Sequence, residues 1–335
     1  MNKLRCFFFS DLLPEERACV ESCLDELSKT VSIERIRVTN YHRWFFQSQS
    51  NSGPSWIVSH DWQSALDFLQ IKKAKSPIFV SVFSSATKKS TPLETWLKSF
   101  QSPLSSGVKL LSHSPLSYKF FRELAGIPEV QMKQIPLPFP PLVRRKDSKH
   151  FTVGTYGAFR SENNLHFIAT LAHYLAKKDP QCFFRVLGSG PLYSHLNQLV
   201  SSLGISQQFI VSETTDIEDV CELDVFLYVP HRNDHFAPLL LAGATGAVPV
   251  CLETPGIQDY VKDSYSGFIV AEDDTKTMSE LILTLKQNPL LRNEMVRRFS
   301  DHIQSRFCSE KLAPDYAKIF GVASHQTKNY VRREL

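Results

Sequence analysis

Short apolar runs alternate with helical segments along this 335-residue chain, and this alternation constrains the fold most strongly. In the C-terminal half, apolar runs at 151–156, 182–187 and 224–229 are each followed by a segment with the periodicity of a helix. Buried runs of this length, separated by helices, are typical of parallel sheets that are covered by helices on both faces. The pattern therefore predicts an α/β protein with doubly wound, Rossmann-like sheets.

The length and the repetition of this pattern predict two domains. The N-terminal half shows the same alternation less regularly, and a proline-rich segment at 134–141 is expected to be extended, because each proline removes a donor. We expect an N-terminal acceptor-type domain over 1–145, a C-terminal nucleotide-sugar-type domain over 146–321, and a tail over 322–335. Open parallel sheets bind ligands beyond the carboxyl ends of their strands, so a central cleft between the two domains is predicted.

Composition excludes several classes of protein. Hydrophobic residues make up 42% of the chain and the net charge is only +4, which disfavours disorder. No apolar run approaches the roughly 18 residues that a membrane-spanning helix needs. The seven cysteines are an odd number without zinc-site spacing, so buried thiols in a reducing cytoplasm are expected. The apolar start of the chain is interpreted as a first strand rather than a signal peptide.

The charge is divided unevenly between the two halves. Residues 1–150 contain 21 Lys and Arg against 13 Asp and Glu, whereas residues 151–335 contain 17 against 21. The net charges are thus +8 and −4. The basic half suits an acidic acceptor or an anionic membrane surface, which would place the protein peripherally at the inner face of a membrane. A solvated basic face without any partner is the alternative. Nucleic acid is not expected, because the basic residues are dispersed.

Glycine is scarce and unevenly placed. Ten of the 13 glycines lie in the C-terminal half, where Gly188 and Gly190 permit a tight strand-to-helix turn. The N-terminal half has no glycine-rich loop after its first strand, and Phe9-Ser10-Asp11-Leu12 stands there instead.

Several segments of the C-terminal half, in their order and spacing, resemble the retaining glycosyltransferases of family 4. The segments are VGTYGAF (153–159), RVLGSGP (185–191), DVFLYVP (224–230), HFAPLLLAGATGAVPV (235–250) and TPGIQDYVKDSYSGFIV (254–270). The N-terminal half is similar more weakly, through SWIVSHDWQSAL (55–66), SPIFVSVF (76–83), LLSHSPLSYKFF (110–121) and IPLPFP (135–140). The resemblance implies a GT-B fold and transfer of a sugar from a nucleoside diphosphate sugar, with retention and without a metal or other cofactor.

The chain departs from this family where the family carries its charged groups. The positions that correspond to the diphosphate-binding Arg and Lys are Ala158 and Asn163. Asp234 and Ala242 match the two family glutamates, and Phe83 matches the family histidine. Removing one preorganised hydrogen-bond donor from an active site lowers the catalytic rate by roughly 100- to 1,000-fold. We therefore expect this chain to transfer a sugar only poorly from an ordinary nucleoside diphosphate sugar.

The residues that remain as candidates come from several segments. Asp234 is the candidate catalytic residue, and His60 and Phe83 are candidates for the acceptor side. The candidate donor- or ligand-binding residues are Gly157, Arg160, Asn163, Gly188, Ser189, Gly190, Arg232, His235, Phe236, Ala237 and Pro238.

Two functions stay open at this point. The first is an active glycosyltransferase in which residues such as Arg160, Arg232 and Asp234 replace the usual contacts. The second is a catalytically silent GT-B protein that binds a glycan, a nucleotide or a partner protein.

Overall fold

The structure is a computed structural model that describes residues 3–9, 13–38, 53–59, 77–83, 107–140, 150–214, 216–230, 236–272 and 274–322. Contacts divide the chain into two compact units, each built around one parallel sheet. The predicted α/β class with two Rossmann-like sheets is confirmed.

Six of the described strands form the sheet of the first unit, and all of them run parallel. They are β1 (Lys3–Phe9), β2 (Ser32–Val38), β3 (Ser55–Ser59), β4 (Ile78–Val82), β5 (Val108–Ser112) and β6 (Met132–Gln134). Their order across the sheet is β2-β1-β3-β4-β5-β6. Helix α1 (Pro14–Ser28) follows β1, and α2 (Pro115–Glu123) follows β5. Every residue of β3 is buried, as expected for a central strand covered on both faces.

A buried chain of hydrogen bonds connects β3, β4 and the segments that follow β5 and β6. The indole Nε1 of Trp56 donates to Ser81 Oγ at 2.8 Å, and His113 Nε2 lies 2.8 Å from the same oxygen. His113 Nδ1 lies 3.0 Å from the Ile135 carbonyl oxygen. A carbonyl only accepts, so Nδ1 carries a proton and donates to it. His113 therefore holds the chain in place just before Pro136, which has no N–H to donate.

The second unit contains a sheet of six described strands, again all parallel. They are β7 (Thr152–Ala158), β8 (Phe183–Ser189), β9 (Phe209–Glu213), β10 (Val225–Tyr228), β11 (Val248–Leu252) and β12 (Phe268–Val270). The order is β12-β11-β10-β7-β8-β9, so β7 is the first strand of this sheet in sequence and lies near its middle. The strand order reverses between β7 and β10.

Helices cover both faces of this second sheet. They are α3 (Leu165–Lys178), α4 (Tyr193–Ser202), α5 (Ala237–Thr245), α6 (Thr275–Gln287) and α7 (Pro289–Phe307). Apolar residues of α3, α4 and α6 join those of the strands in one buried core. Helix α5 is buried along its whole length, which agrees with its sequence of alanines and leucines. Asp274 caps α6 by accepting a hydrogen bond from the Thr277 backbone at 2.9 Å.

The last described helix, α8 (Ser309–Phe320), packs within the first unit. The ring of Phe320 lies 5.0 Å from Trp56 and 5.1 Å from Phe79, and the Tyr316 hydroxyl donates to the Pro136 carbonyl at 3.0 Å. The domain boundaries expected from the sequence placed this helix in the C-terminal domain. The contact division differs because the apolar face of α8 covers aromatic residues of the N-terminal sheet. The first turns of α1 (Leu13–Cys19) group, conversely, with the second unit.

Close backbone contacts join β7 and the segment after it to β8. A Cβ atom on Gly188, where φ is +142°, would lie 1.8 Å from the Gly157 carbonyl oxygen. A Cβ on Gly190 would lie 2.8 Å from the Phe159 carbonyl oxygen, and the Phe159 amide donates to the Ser189 carbonyl at 2.7 Å. Only glycine fits at 188, because backbone atoms cannot move aside as the end of a flexible side chain can.

We predict that Gly188→Ala lowers the free energy of unfolding by about 3 kcal/mol or more, since it adds a steric clash to an unfavourable φ. Gly204→Ala is the matched control, because Gly204 has a φ of +70° but nothing within 4 Å of its Cβ position. The control is expected to lose only about 1–2 kcal/mol. Denaturant unfolding of both variants measures the difference, and equal losses would show that the contact with β7 is unimportant.

Candidate functional site

A depression at the carboxyl ends of β7 and β10 is the candidate site of the second unit. Its volume is about 350 Å³, including space that is open to solvent. The described lining residues are Thr155, Tyr156, Gly157, Ala158, Asn163, Leu165, Leu227, Tyr228, Val229, Pro230 and Pro238. This is the point at which the strand order of the sheet reverses, where open α/β sheets bind their ligands. We call it the switch-point pocket.

The turn after β7 supplies one side of this pocket. The short 3₁₀ segment Ser161–Asn163 leads to Asn164, whose left-handed backbone (φ 50°) precedes α3. Asn163 lines the pocket, and its Nδ2 donates to the Ala158 carbonyl at 2.6 Å. This bond holds the turn closed and uses one of the two N–H groups of the Asn163 amide.

Arg160 stands at the start of the same turn but outside the described lining of the pocket. Its side chain is exposed, and its amide donates to the Ala158 carbonyl at 2.9 Å. Arg160 therefore lies between two lining residues, Ala158 and Asn163, in sequence. Among the described residues, no hydrogen bond or ion pair directs its guanidinium into the pocket.

Gly188, Ser189 and Gly190 were expected to bind the ligand, and they lie outside the described lining. Gly188 is paired with Gly157 in the sheet, Ser189 is exposed, and Gly190 packs on Phe159. The structure gives the glycines of this turn a packing role, because β8 approaches the backbone of β7 and of the residues after it.

The start of α5 contributes Pro238 to the pocket. Phe236 is buried, and its ring stacks on Tyr260 at 4.4 Å and lies 5.7 Å from Tyr228. Ala237 and Ala242 are completely buried. The pocket is therefore bordered at this side by a proline and by buried aromatic rings.

Four predicted site residues, His60, Arg232, Asp234 and His235, lie outside the described residues. Phe83 is described and belongs to the first unit. It is buried after β4, and its ring stacks on His113 with the centroids 5.1 Å apart.

Sequence reasoning missed Glu15, which the structure places beside Gly157. This side chain in the first turn of α1 is 1% exposed, and its Oε1 lies 3.8 Å from the position that a Cβ atom would take on Gly157. The sequence around Leu13-Pro14-Glu15-Glu16 predicts the start of a helix but carries no signal for this contact. Glu16 Oε2 accepts a hydrogen bond from the Leu13 amide at 2.8 Å and so caps the helix.

Tyr156 is a buried polar residue that lines the pocket. It is 2% exposed, and its hydroxyl has no hydrogen-bond partner among the described residues. Burial raises the pKa of Tyr156, and the carboxylates of Glu15, Asp216 and Asp219 raise it further. The phenol is therefore neutral at physiological pH and lies in a negative electrostatic environment.

Neither a metal-binding cluster nor a membrane-spanning helix occurs among the described residues. No group of three or more His, Cys, Asp or Glu residues there is arranged to hold a metal ion. In the same residues, no helix combines the length and the apolar character that crossing a membrane requires.

Residues 143–302, somewhat less than half of the chain, match the family model of the glycosyl transferases group 1. The N-acetyl-alpha-D-glucosaminyl L-malate synthase of Bacillus anthracis is 23% identical over 146 residues, which make up 43% of this chain and 38% of that protein. The alpha-D-kanosaminyltransferase of Streptomyces kanamyceticus is 22% identical over 143 residues, or 42% of this chain and 37% of that protein. The match thus spans about two fifths of the length of these curated relatives.

Solved structures resemble nearly the whole chain. HepE of Anabaena, in complex with UDP and glucose, matches with a TM-score of 0.77 at 13% identity. The match covers 96% of this chain and 100% of the HepE chain. TarM of S. aureus, in complex with fondaparinux, alpha-GlcNAc-glycerol and UDP, has a TM-score of 0.67 at 12% identity, covering 83% of this chain and 58% of its own. At such identities the likeness shows the fold, which is that of the GT-B glycosyltransferases. By this fold and by the match over residues 143–302, the chain is related to the group 1 glycosyl transferases.

Proposed function

We propose that this chain is a glycosyltransferase that binds a nucleoside diphosphate sugar in the switch-point pocket of its second unit. The position of the pocket carries the proposal, because it lies where β7 and β10 separate in a sheet of Rossmann order. The family match over residues 143–302 covers the same unit. HepE and TarM, which share the fold, are seen with UDP.

The pocket offers shape and backbone dipoles to such a donor more than it offers charge. The apolar residues Leu227, Val229 and Pro230 line it, which suits the flat face of a nucleoside. The turn after β7 leads into the N-terminus of α3, whose 14 residues point the positive end of the helix dipole toward this edge of the sheet. Retention of configuration, which the resemblance to family 4 implies, is part of the proposal.

A binding module without catalysis is the second candidate, and the buried alanines favour it. Ala158 and Ala242 stand where the resemblance places an Arg and a Glu, and Ala242 has no exposed surface. Such a protein would hold a nucleotide or a glycan, or would regulate a partner protein.

The acceptor is proposed to meet the first unit at the carboxyl ends of its strands, on the side of Phe83. The excess of positive charge in residues 1–150 suits an acidic acceptor or an anionic membrane surface. With this charge, we propose a cytoplasmic location, peripheral at the inner face of a membrane.

We predict that UDP stabilises the purified protein against thermal unfolding. At about 100 times its dissociation constant a ligand contributes about 2.7 kcal/mol. Thr155→Trp, which places a large side chain in the pocket, should abolish the shift, while Thr170→Trp on the exposed side of α3 should preserve it.

Both variants are first compared with the natural chain by their unfolding midpoints without ligand. A nucleotide panel that produces no shift in the natural chain would contradict the proposal. A shift that Thr155→Trp leaves intact would place the ligand elsewhere.

We also predict that Ala158→Arg raises the affinity for UDP at least about tenfold. A charge-assisted hydrogen bond contributes roughly 1.5–3 kcal/mol, and Ala158 lines the pocket. Isothermal calorimetry measures the change, and Ser202→Arg on the exposed end of α4 controls for net charge. Equal affinities of the two Arg variants would show that position 158 does not face the diphosphate. An accompanying increase in sugar transfer would favour the transferase over the silent module.

A further inference from the structure

Two helices begin beside the switch-point pocket, one after each of the strands that border it. Leu165, the first residue of α3, and Pro238, in the first turn of α5, both line the pocket. The N-terminus of a helix binds an anion through backbone N–H groups that have no partner within the helix. The N–H groups that each helix still offers therefore decide where the charged part of a ligand can lie.

The first three residues of α5 present no N–H group to the pocket. Ala237 is completely buried, so its amide is out of reach of a ligand. Pro238 has no N–H group at all. The Leu239 amide is engaged, because it donates to the Phe236 carbonyl at 3.0 Å. The end of α5 that faces the pocket is thus closed as an anion-binding site.

Aromatic packing fixes this first turn of α5. The buried ring of Phe236 stacks on Tyr260 with the centroids 4.4 Å apart, and Tyr260 stacks on Phe307 at 5.0 Å. Gly256 lies against the same ring, since a Cβ atom there would be 3.5 Å from Phe236 Cζ. A ligand that took the Leu239 amide from the Phe236 carbonyl would have to disturb this buried stack.

The β7 side of the pocket is more polar. The Leu165 amide makes no hydrogen bond with any described residue. Thr155 and Asn163 also line this side, and each has a polar side chain. In sheets of this order the pyrophosphate of a nucleotide lies at the turn between the first strand and its helix, which is the turn from β7 to α3 here.

The side of the pocket that β10 and α5 supply is mainly apolar. Apart from Tyr228, its described lining consists of Leu227, Val229, Pro230 and Pro238. Such a surface favours the face of a nucleoside over a charged group, because burying a charge without a partner is costly. The two sides of the pocket therefore suit different parts of one nucleotide.

Resting on the proposed function, we propose that Pro238 is a specificity-determining residue that closes the N-terminus of α5 to the diphosphate of the donor. The nucleoside lies against Pro230 and Pro238, and the diphosphate is left to the turn after β7 and the start of α3. Pro238 thus lowers the affinity for the diphosphate and leaves the contact with the nucleoside intact.

The test compares the dissociation constants of uridine and UDP by calorimetry for the natural chain, Pro238→Ala, Pro238→Val and Pro289→Ala. Both position-238 variants restore an N–H group in the first turn of α5, and valine keeps most of the apolar volume. Pro289 is the matched control, since it lies in the first turn of α7, is exposed and is not in the described pocket lining.

The ratio of the uridine constant to the UDP constant should rise at least about tenfold, or about 1.4 kcal/mol, in both position-238 variants. The ratio cancels any change in the contact with the nucleoside. In Pro289→Ala it should stay within about twofold of the natural value. Unfolding midpoints without ligand show which variants fold, and Pro238→Val serves if Pro238→Ala does not.

The remaining outcomes separate this inference from the proposed function. An unchanged ratio in the position-238 variants, while the natural chain binds UDP, overturns the role of Pro238 and leaves the proposed function standing. An equal rise in Pro289→Ala also overturns that role, as does a crystal structure of the natural chain with the phosphates of UDP on the first turn of α5. If neither uridine nor UDP binds to any of the proteins, the proposed function fails and the inference fails with it.

Discussion

Contact between backbones beside the end of β7 is the constraint on which the candidate site depends. Gly188 can have no side chain, because β8 lies against the carbonyl oxygen of Gly157. The Cβ position of Gly157 itself lies at ordinary contact distance from Asn163 Nδ2 and Glu15 Oε1, at 3.6 and 3.8 Å. The close packing of β8 on β7 therefore fixes the backbone that begins the turn lining the pocket.

The pocket keeps the geometry of a nucleotide site while its described lining is neutral. The reversal of strand order, the turn after β7 and the N-terminus of α3 are all present. Positions 158 and 163 carry a methyl group and an amide, and the amide is engaged with the backbone. The fold needs none of the charged groups, because the sheet is held by apolar burial and backbone hydrogen bonds. The charged residues of such a pocket can therefore be replaced while its backbone geometry is kept.

The sequence predicts the α/β class and most of the elements, because buried parallel strands leave continuous apolar runs. It did not predict α8, in which Pro314 interrupts the helical pattern, or β6, a three-residue strand at the edge of its sheet. The sequence could not assign α8 to the first unit, because the residues that α8 contacts there, Trp56 and Phe79, lie more than 200 positions away in the chain.

The candidate site was less accessible to sequence reasoning. Glycines of the 187–191 turn indicate close approach, but the pattern does not distinguish a strand from a ligand as the approaching group. Glu15 was missed for a different reason. It comes from α1, far from β7 in sequence, and no local pattern reports a contact between these two elements.

A crystal structure with UDP at saturating concentration tests the central claim most directly. Uracil and ribose are predicted to lie between the carboxyl ends of β7 and β10, within contact of Pro230 and Pro238, with Tyr156 near the ligand. A UDP molecule bound at the carboxyl ends of the first sheet, or anywhere outside the switch-point pocket, would contradict it.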